Sequence, residues 1–510
     1  MSSTPSEKDP DRIGFWRLVA FSSLVMPIAA AEVPLTTYLP PLYSGAFGFN
    51  LALLGVVFLI SRLFDGIIDP LAGVISDNSR TRFGRRKPWI ALGAALFGLS
   101  AIPLFFPPEG FGFVGLSLTL FVFYIGYTLM AIPYAAWAGE LSSRYHERTR
   151  ITTYQTVLIS VGLLLALVTP ALLDALPSIL KLKPDLLEGF AFLPENVRDG
   201  SFVHAPRVKL AAMGLMVFVL LLPSLFLSLY FVKEPEVPAG AVRQKISLRD
   251  SFKVLAGEKL LWRVLGSNFA VRLGQGIRTA LFVFFVAFVI GKPHWAPALF
   301  LLQYIVSLAA GPIWLAIGRR VGKHRAAVAG ELVQVVINLG LLFVTAGRIE
   351  LLLALTVAQG LAQGSGNLML RAIVADVADE HRLRVGADRN GLFFSVFSLS
   401  DKAALAASIG IALPLVALFG FNPQVPVQTA LGLTALQAVF AIGPAVAHLA
   451  SAWLIHGFPL DETRHKTIRA ELDARDSLKP SEGSVPAEGN VPERKSPVAI
   501  PEPVYQGASS

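Results

Sequence analysis

Residues 61–89 read SRLFDGIIDPLAGVISDNSRTRFGRRKPW. The first half of this stretch continues an apolar run, yet it carries Arg62, Asp65 and Asp69. The second half is a basic knot of Arg80, Arg82, Arg85, Arg86 and Lys87. On a helix, side chains four apart stack one turn apart on the same face, so Asp65 and Asp69 share a face. Arg62, three residues before Asp65, joins them. A charged side chain at the centre of a membrane helix costs about 2.5–3.5 kcal/mol on insertion scales. Two carboxylates a turn apart also repel. The pair needs a cation, a proton or a basic neighbour, and that need is the main functional clue in the chain.

The 510 residues are 54% hydrophobic and 15% charged, with mean hydropathy +0.60. A soluble domain carries about 25% charge, so a polytopic membrane protein is expected, with the lipid bilayer as its surroundings. The net charge of +9 is then a matter of cytoplasmic loops rather than of nucleic-acid binding. The chain has no cysteine, which excludes disulfides and thiolate metal sites. Residues 1–13 are polar, and the apolar run after them is too long for a signal-peptide core, so the first span is expected to stay.

Apolar runs of about 20 residues or more fall near 15–42, 47–76, 88–106, 111–138, 153–174 and 208–232, then near 262–290, 295–317, 324–346, 350–375, 392–419 and 427–456. These are about twelve spans in two groups of six. The expected organisation is a cytoplasmic N-terminal tail (1–14), a first six-helix bundle (15–232), a cytoplasmic linker (233–260), a second bundle (261–456) and a disordered cytoplasmic tail (457–510) rich in Pro, Ser and charge. Arg and Lys crowd the loops on one side, such as Arg144/Arg148/Arg150 and Arg319/Arg320/Lys323/Arg325. That side reads as cytoplasmic and places both termini there; the loop 175–207, with Lys181, Lys183, Arg198 and Arg207, is the exception. The knot after span two has a weaker counterpart in GRRVGKHR, 318–325, as a parallel repeat of two bundles would leave.

Residues 62–89 resemble the helix-two signature and following loop of the glycoside–pentoside–hexuronide:cation symporters, the melibiose-carrier-like branch of the major facilitator superfamily. YTLMAIPYAAWAGELS (127–142) resembles that family's fourth helix, ERTRITTYQ (147–155) its loop into helix five, and VADVADEHRLRVGADRNGLFFSVFSLSDKAALA (374–406) its passage from helix ten to eleven. The resemblance covers about residues 15–456. It implies an all-α membrane protein with the major facilitator fold, twelve transmembrane helices in two six-helix bundles, and alternating access in which a sugar moves with Na⁺, Li⁺ or H⁺. Matched by motif, the cation-site carboxylates fall on Asp65 and Asp69, a helix-four hydroxyl on Thr128 and a helix-eleven lysine near the site on Lys402. A Na⁺ ion would be held by Asp65, Asp69 and Thr128, and no other metal or cofactor is implied. Three positions depart from the melibiose-carrier pattern. Ile68 stands where that pattern has Asn, Ala131 where it has a sugar-gripping Asp, and Gln155 or Thr156 where it has an Arg. Loss of an oxygen ligand at Ile68 moves the balance from Na⁺ towards H⁺, and Ala131 argues against melibiose.

The alternative for the Asp65/Asp69 pair is a structural ion pair with Arg62 or Lys402, but two carboxylates exceed what one partner needs. Lys402 could also compete with the cation when the carrier is empty. Glu32, mid-span in AAAEVPLTTYLPP with no charged neighbour in its helix, is a candidate solute contact or proton relay. Arg272 and Gln275 (NFAVRLGQGIRT) are further solute candidates, although Arg272 could merely snorkel. Tyr134 and Trp137 could stack on a sugar face or serve as packing. Arg371 and Asp376 suggest a gate pair. Asp77 with Arg82 or Arg86 would latch the cytoplasmic helix ends. No Walker A sequence occurs, the histidines fit no metal spacing, and no enzyme motif is found. The expected function is cation-coupled (H⁺ or Na⁺) symport of a small-molecule sugar or glycoside across a bacterial inner membrane, by a monomer. The competing reading is a carrier of an amphipathic, lipid-like solute, as in the family's lysolipid-carrying relatives. A scaffold or sensor without transport is disfavoured by the two retained aspartates.

Overall fold

The computed structural model describes residues 13–79, 81–142, 144–182, 206–234, 248–386 and 389–477. The first apolar run is broken into α1 (Phe15–Ser22), α2 (Val25–Val33), a π-turn (Pro34–Tyr38) and α3 (Leu39–Gly45). Pro34, Pro40 and Pro41 each lack an N–H, and the wide turn absorbs the missing bonds. α4 (Leu51–Asn78) starts where the Asn50 side chain accepts from the Leu53 N–H at 3.1 Å, an N-cap. α5 (Lys87–Phe105), α6 (Phe113–Glu140), α7 (Tyr145–Leu182) and α8 (Pro206–Phe231) complete the first half.

The second half comprises α9 (Leu248–Gly257), α10 (Lys259–Phe284), α11 (Ala296–Val321), α12 (Lys323–Gly340), α13 (Ile349–Ala362), α14 (Gly364–Val385), α15 (Asn390–Leu418), α16 (Ala430–Ile455) and α17 (Glu462–Ser477). Among the described residues, eleven helical stretches are long and apolar enough to cross a membrane. The remaining expected span, near 350–375, is divided at Gln363 into α13 and α14. A Gly364-Ser365-Gly366 sequence follows the break, and two glycines within three residues weaken helix continuity there.

Close backbone approach joins the halves along α4 and α15. A Cβ at Gly55 would lie 2.6 Å from Pro414 Cδ, and one at Gly410 would lie 2.6 Å from Leu59 Cβ. In membrane bundles such small residues replace the hydrophobic effect as the means of helix association. One apolar cluster contains Leu54 and Phe58 of the first half with Ile409, Leu413 and Phe421 of the second. Gln424 Nε2 also donates to the Phe49 carbonyl at 3.2 Å. The halves are therefore in contact at the end bearing Phe49 and Gln424. A second cluster, with Leu265, Phe397, Ile468 and Leu472, stays within the second half and α17. At that opposite end, Thr149, Thr152 and Thr156 on α7 are exposed.

The tail differs from expectation. Residues 462–477 form α17, held by buried Ile468 and Leu472, by Arg469 to Asp379 at 2.8 Å and by His465 to Asp376 at 3.0 Å. Its two apolar anchors are four apart, enough for one narrow stripe on a charged helix. The rest of the expected tail, 478–510, lies outside the described residues, as do Arg80 and most of the 175–207 loop. In the expected linker, α9 forms from Leu248, and 235–247 lies outside the described residues.

Candidate functional site

The helical register of α4 turns Asp65 and Asp69 towards α6 and α15. The Thr128 hydroxyl on α6 bonds to Asp65 Oδ1 and lies 3.1 Å from Asp69 Oδ1. A hydroxyl has one proton, so it donates to one of the two carboxylates at a time. Lys402 Nζ, from α15, donates to Asp65 Oδ2 at 3.0 Å and to Asp69 Oδ2 at 2.5 Å. Arg62 Nη1 lies 3.9 Å from Asp65 Oδ2, and its guanidinium sits 4.8 Å from the centre of the Tyr124 ring. Asp65 is fully buried, while Asp69 is 22% exposed.

Two carboxylates thus face two basic groups, and the cluster is neutral when all four are ionised. The four residues expected at the cation site are brought together. The ion pair foreseen as the alternative is present as well: the Lys402 ammonium supplies the positive charge that the carboxylates require. Asp65 Oδ1, Asp69 Oδ1 and the Thr128 hydroxyl form an oxygen cluster of the kind a small hard cation prefers. Ile68 contributes no oxygen to it.

A cavity of about 460 Å³ opens beside this cluster between the halves. Glu32, Thr36, Arg62 and Tyr127 line it from the first half, and Arg272, Gln275, Gln303, Asp401 and Lys402 from the second. Glu32 is exposed to it. Arg272 does not snorkel: its Nε donates to Asp401 Oδ1 at 2.9 Å, and Asn268 Nδ2 donates to the same oxygen at 2.8 Å. Gln275 Oε1 accepts from Asn367 at 3.4 Å. A cavity of about 670 Å³ lies elsewhere, between α11, α14 and the start of α17, away from the carboxylate pair.

Tyr134 and Trp137 are a correction. Both are buried in the core. Tyr134 stacks on Phe21 with ring centres 4.8 Å apart and donates its hydroxyl to the Phe21 carbonyl at 2.9 Å. Trp137 meets Phe21 edge-on at 5.0 Å. Tyr134 uses its face against Phe21 and Lys87 Nζ sits 5.6 Å from the centre of the buried Trp137 ring, so neither ring offers a sugar platform here. Arg371 and Asp376 are not paired either. Arg371 is exposed, and Asp376 binds Lys323 at 2.7 Å and His465 at 3.0 Å.

Of the residues expected to latch these helix ends, the structure brings Asp77 and Arg86 together and leaves Arg82 apart. Arg86 is fully buried, and its guanidinium pairs with Asp77, binds Glu140 at 2.8 Å and donates to Ser76 at 2.9 Å. Arg85 reaches the same Glu140 at 2.6 Å. The Glu234 carboxylate accepts the Arg85 and Arg86 backbone N–H groups at 2.8–3.0 Å. One knot therefore ties α4, α5, α6 and the end of α8. Arg82 is exposed and lies 4.6 Å from the centre of the Phe83 ring.

Sequence reasoning missed Asn268, Tyr124 and Glu234. Asn268 and Arg272 are four apart on α10, a spacing that could have flagged a shared acceptor. Tyr124 and Glu234 carry no such local signal.

The family model described as MFS/sugar transport protein matches residues 20–462. Among curated relatives, the chain is 24% identical over 442 residues to a "Putative glycoside/cation symporter YagG" of Escherichia coli, covering 84% of this chain and 88% of that one. It is 21% identical over 501 residues to a "Sodium-dependent lysophosphatidylcholine symporter 1" of Xenopus tropicalis, covering 94% of each. The crystal structure of the nucleoside transporter NupG superposes with a TM-score of 0.58 at 12% identity, over 87% of this chain and 100% of that one, a likeness of fold. With its all-helical two-half architecture and its many membrane-length helices, the chain is a multi-pass membrane protein that belongs to the MFS/sugar transport protein family.

Proposed function

We propose that this protein is a cation-coupled symporter of a polar, sugar-like solute, working by alternating access. One observation carries the reading: Asp65 and Asp69 of the first half are held by Lys402 of the second, and Lys402 itself lines the inter-half cavity. An arriving Na⁺ or H⁺ competes with the ammonium for the charge of the same two carboxylates. Displacing Lys402 releases a contact between the halves and frees its charge to face the cavity, next to Asp401 and Glu32. Loading of the cation is thereby linked both to bundle movement and to the chemistry offered to the solute. With neither Lys402 nor a cation in place, two uncompensated carboxylates would resist closure into a water-free state.

The cavity wall supports a hydrophilic solute. Glu32, Thr36, Arg272, Gln275, Gln303 and Asp401 offer donors and acceptors from both halves, which suits the hydroxyls of a sugar or glycoside. The relative named as a lysophosphatidylcholine symporter favours the lipid-like alternative, whereas the density of polar groups in the wall weighs against it. We read the end bearing Phe49 and Gln424 as extracellular and the Arg86 latch as cytoplasmic, in line with the Arg and Lys distribution. The protein then faces inward, with both termini cytoplasmic and the bacterial inner membrane as its location. Uptake of a panel of radiolabelled sugars, glycosides and lysophospholipids into vesicles, under imposed Na⁺ or H⁺ gradients, tests this. Gradient-stimulated uptake of at least one sugar is expected; uptake confined to lysophospholipids overturns the sugar reading.

A further inference from the structure

α12 and α16 bring Glu331 and His448 together inside the second half. His448 Nδ1 lies 2.5 Å from Glu331 Oε2, and the two residues are 2% and 1% exposed. The contact holds one proton between the groups, and with that proton on Nδ1 the ring donates to the carboxylate and leaves Nε2 unprotonated. The second ring nitrogen can take another, giving an imidazolium–carboxylate pair. Buried ion pairs are often replaceable by apolar residues without loss of stability, so an ionisable pair inside a membrane bundle points to function.

Two glycines make room for the pair. A Cβ at Gly366 on α14 would lie 2.2 Å from Glu331 Oε1, and one at Gly274 on α10 would lie 3.3 Å from His448 Nε2. Gly366 belongs to the sequence that follows the break at Gln363. Gln363 lines the solute cavity, where its side-chain oxygen accepts from Gln303 at 3.0 Å. Asn367, next to Gly366, bonds to Gln275 in the same wall. The carboxylate therefore rests on a broken helix whose flanking residues contact the cavity lining.

The charged surroundings are sparse. α10 contributes Arg278, buried one turn beyond Gly274. Its Nη1 donates to Asn338 of α12 and Gln359 of α13 at 3.2 Å each, while its Nε and Nη2 have no hydrogen-bond partner. Arg272, also on α10, is engaged by Asp401 of α15. On α14, Arg371 is exposed and Asp376 is bound by Lys323. α13 offers the neutral Gln359 and α16 the neutral Ser451, which bonds to Ser267. Asn338 lies two turns along α12 from Glu331, so Glu331 and Arg278 are opposite charges on one polar seam.

We propose that Glu331 and His448 form a second proton-binding site, whose loading is passed to the solute cavity through the break at Gln363. The proton enters at His448, and no bond other than N–H is made. Loading adds a positive charge to a seam that already holds Arg278, so the bundle arrangements with this seam dry and with it wetted or paired differ in proton affinity. This rests on the transporter reading but not on Asp65 and Asp69 being the coupling site.

The absence of cysteine allows a clean test. Thr153→Cys, on the exposed threonine face of α7, is alkylated by a membrane-impermeant maleimide in purified, reconstituted protein between about pH 5 and 8. After correction for thiol ionisation with unfolded protein, the rate is expected to change at least threefold across the range. Glu331→Gln and His448→Asn should flatten that change. Infrared pH titration of the otherwise unmodified protein should show about one proton taken up that is missing in Glu331→Gln. The same corrected profile in Glu331→Gln and wild type, or no Glu331-dependent proton uptake, overturns the proposal. Loss of coupling in the Asp65 variant alone bears on the symport reading instead.

Discussion

Lys402 Nζ on α15 and Asp69 Oδ2 on α4 lie 2.5 Å apart, so the two halves of the protein share an ion pair whose lysine lines their common cavity. Asp65 Oδ2, 3.0 Å from the same ammonium, makes the contact a three-membered cluster. Lys402→Met should leave both carboxylates without that counter-charge. Removing one partner of a buried pair costs about 3–5 kcal/mol. The lower end applies, because Lys402 is 21% exposed. The thermal midpoint of purified protein should fall by several degrees and be restored by added Na⁺ more than by equal choline. Equal response to both salts would argue against Na⁺ as the ion held at these carboxylates and leave H⁺.

The latch should separate its two candidate arginines. Arg86→Gln strips a fully buried guanidinium from Asp77, Glu140 and Ser76, and loss of these charge-assisted bonds should cost about 1–3 kcal/mol in all. Arg82→Gln changes an exposed side chain and should stay within about 0.5 kcal/mol. Thermal unfolding of both variants reads the difference. A larger effect at Arg82 than at Arg86 would move the latch.

Glycine contacts should set the seal between the halves. Gly410→Leu forces side-chain atoms into Leu59, where even a Cβ would lie 2.6 Å away. The end bearing Phe49 and Gln424 should then close less well. A cysteine at Thr36, in the cavity wall, should react faster with an impermeant maleimide added from that end. Unchanged labelling would mean that this approach does not control access.

Glu32→Gln should weaken solute binding by at least about tenfold, near 1.4 kcal/mol. The carboxylate is exposed to the cavity, so folding stability should hardly change. Equilibrium binding of the sugar that the panel identifies, with thermal unfolding alongside, separates the two effects. Wild-type affinity would remove Glu32 from the solute site.

The segments of the fold were legible in the apolar runs, and the carboxylate pair stood out because charge in such runs is costly. Thr128 and Lys402 were reached only through motif resemblance, since no local spacing links residues 63 and 337 positions from Asp65. Which face a side chain takes on an all-apolar helix was not legible. Tyr134 and Trp137 turned to the Phe21 core for that reason, and the Glu331–His448 pair, split between two distant spans, went unnoticed. The break at Gln363 had a local signal in Gly364 and Gly366, and α17 had one in Ile468 and Leu472, but hydropathy averaged over a span hides the first and charge composition hides the second.

The most direct measurement is gradient-driven accumulation in vesicles carrying Asp65→Asn or Asp69→Asn, compared with equilibrium exchange of the same sugar. Cation-coupled symport predicts that accumulation above the equilibrium level disappears in both variants, while normal expression and measurable exchange remain. Accumulation at the wild-type level in both would contradict coupling at Asp65 and Asp69.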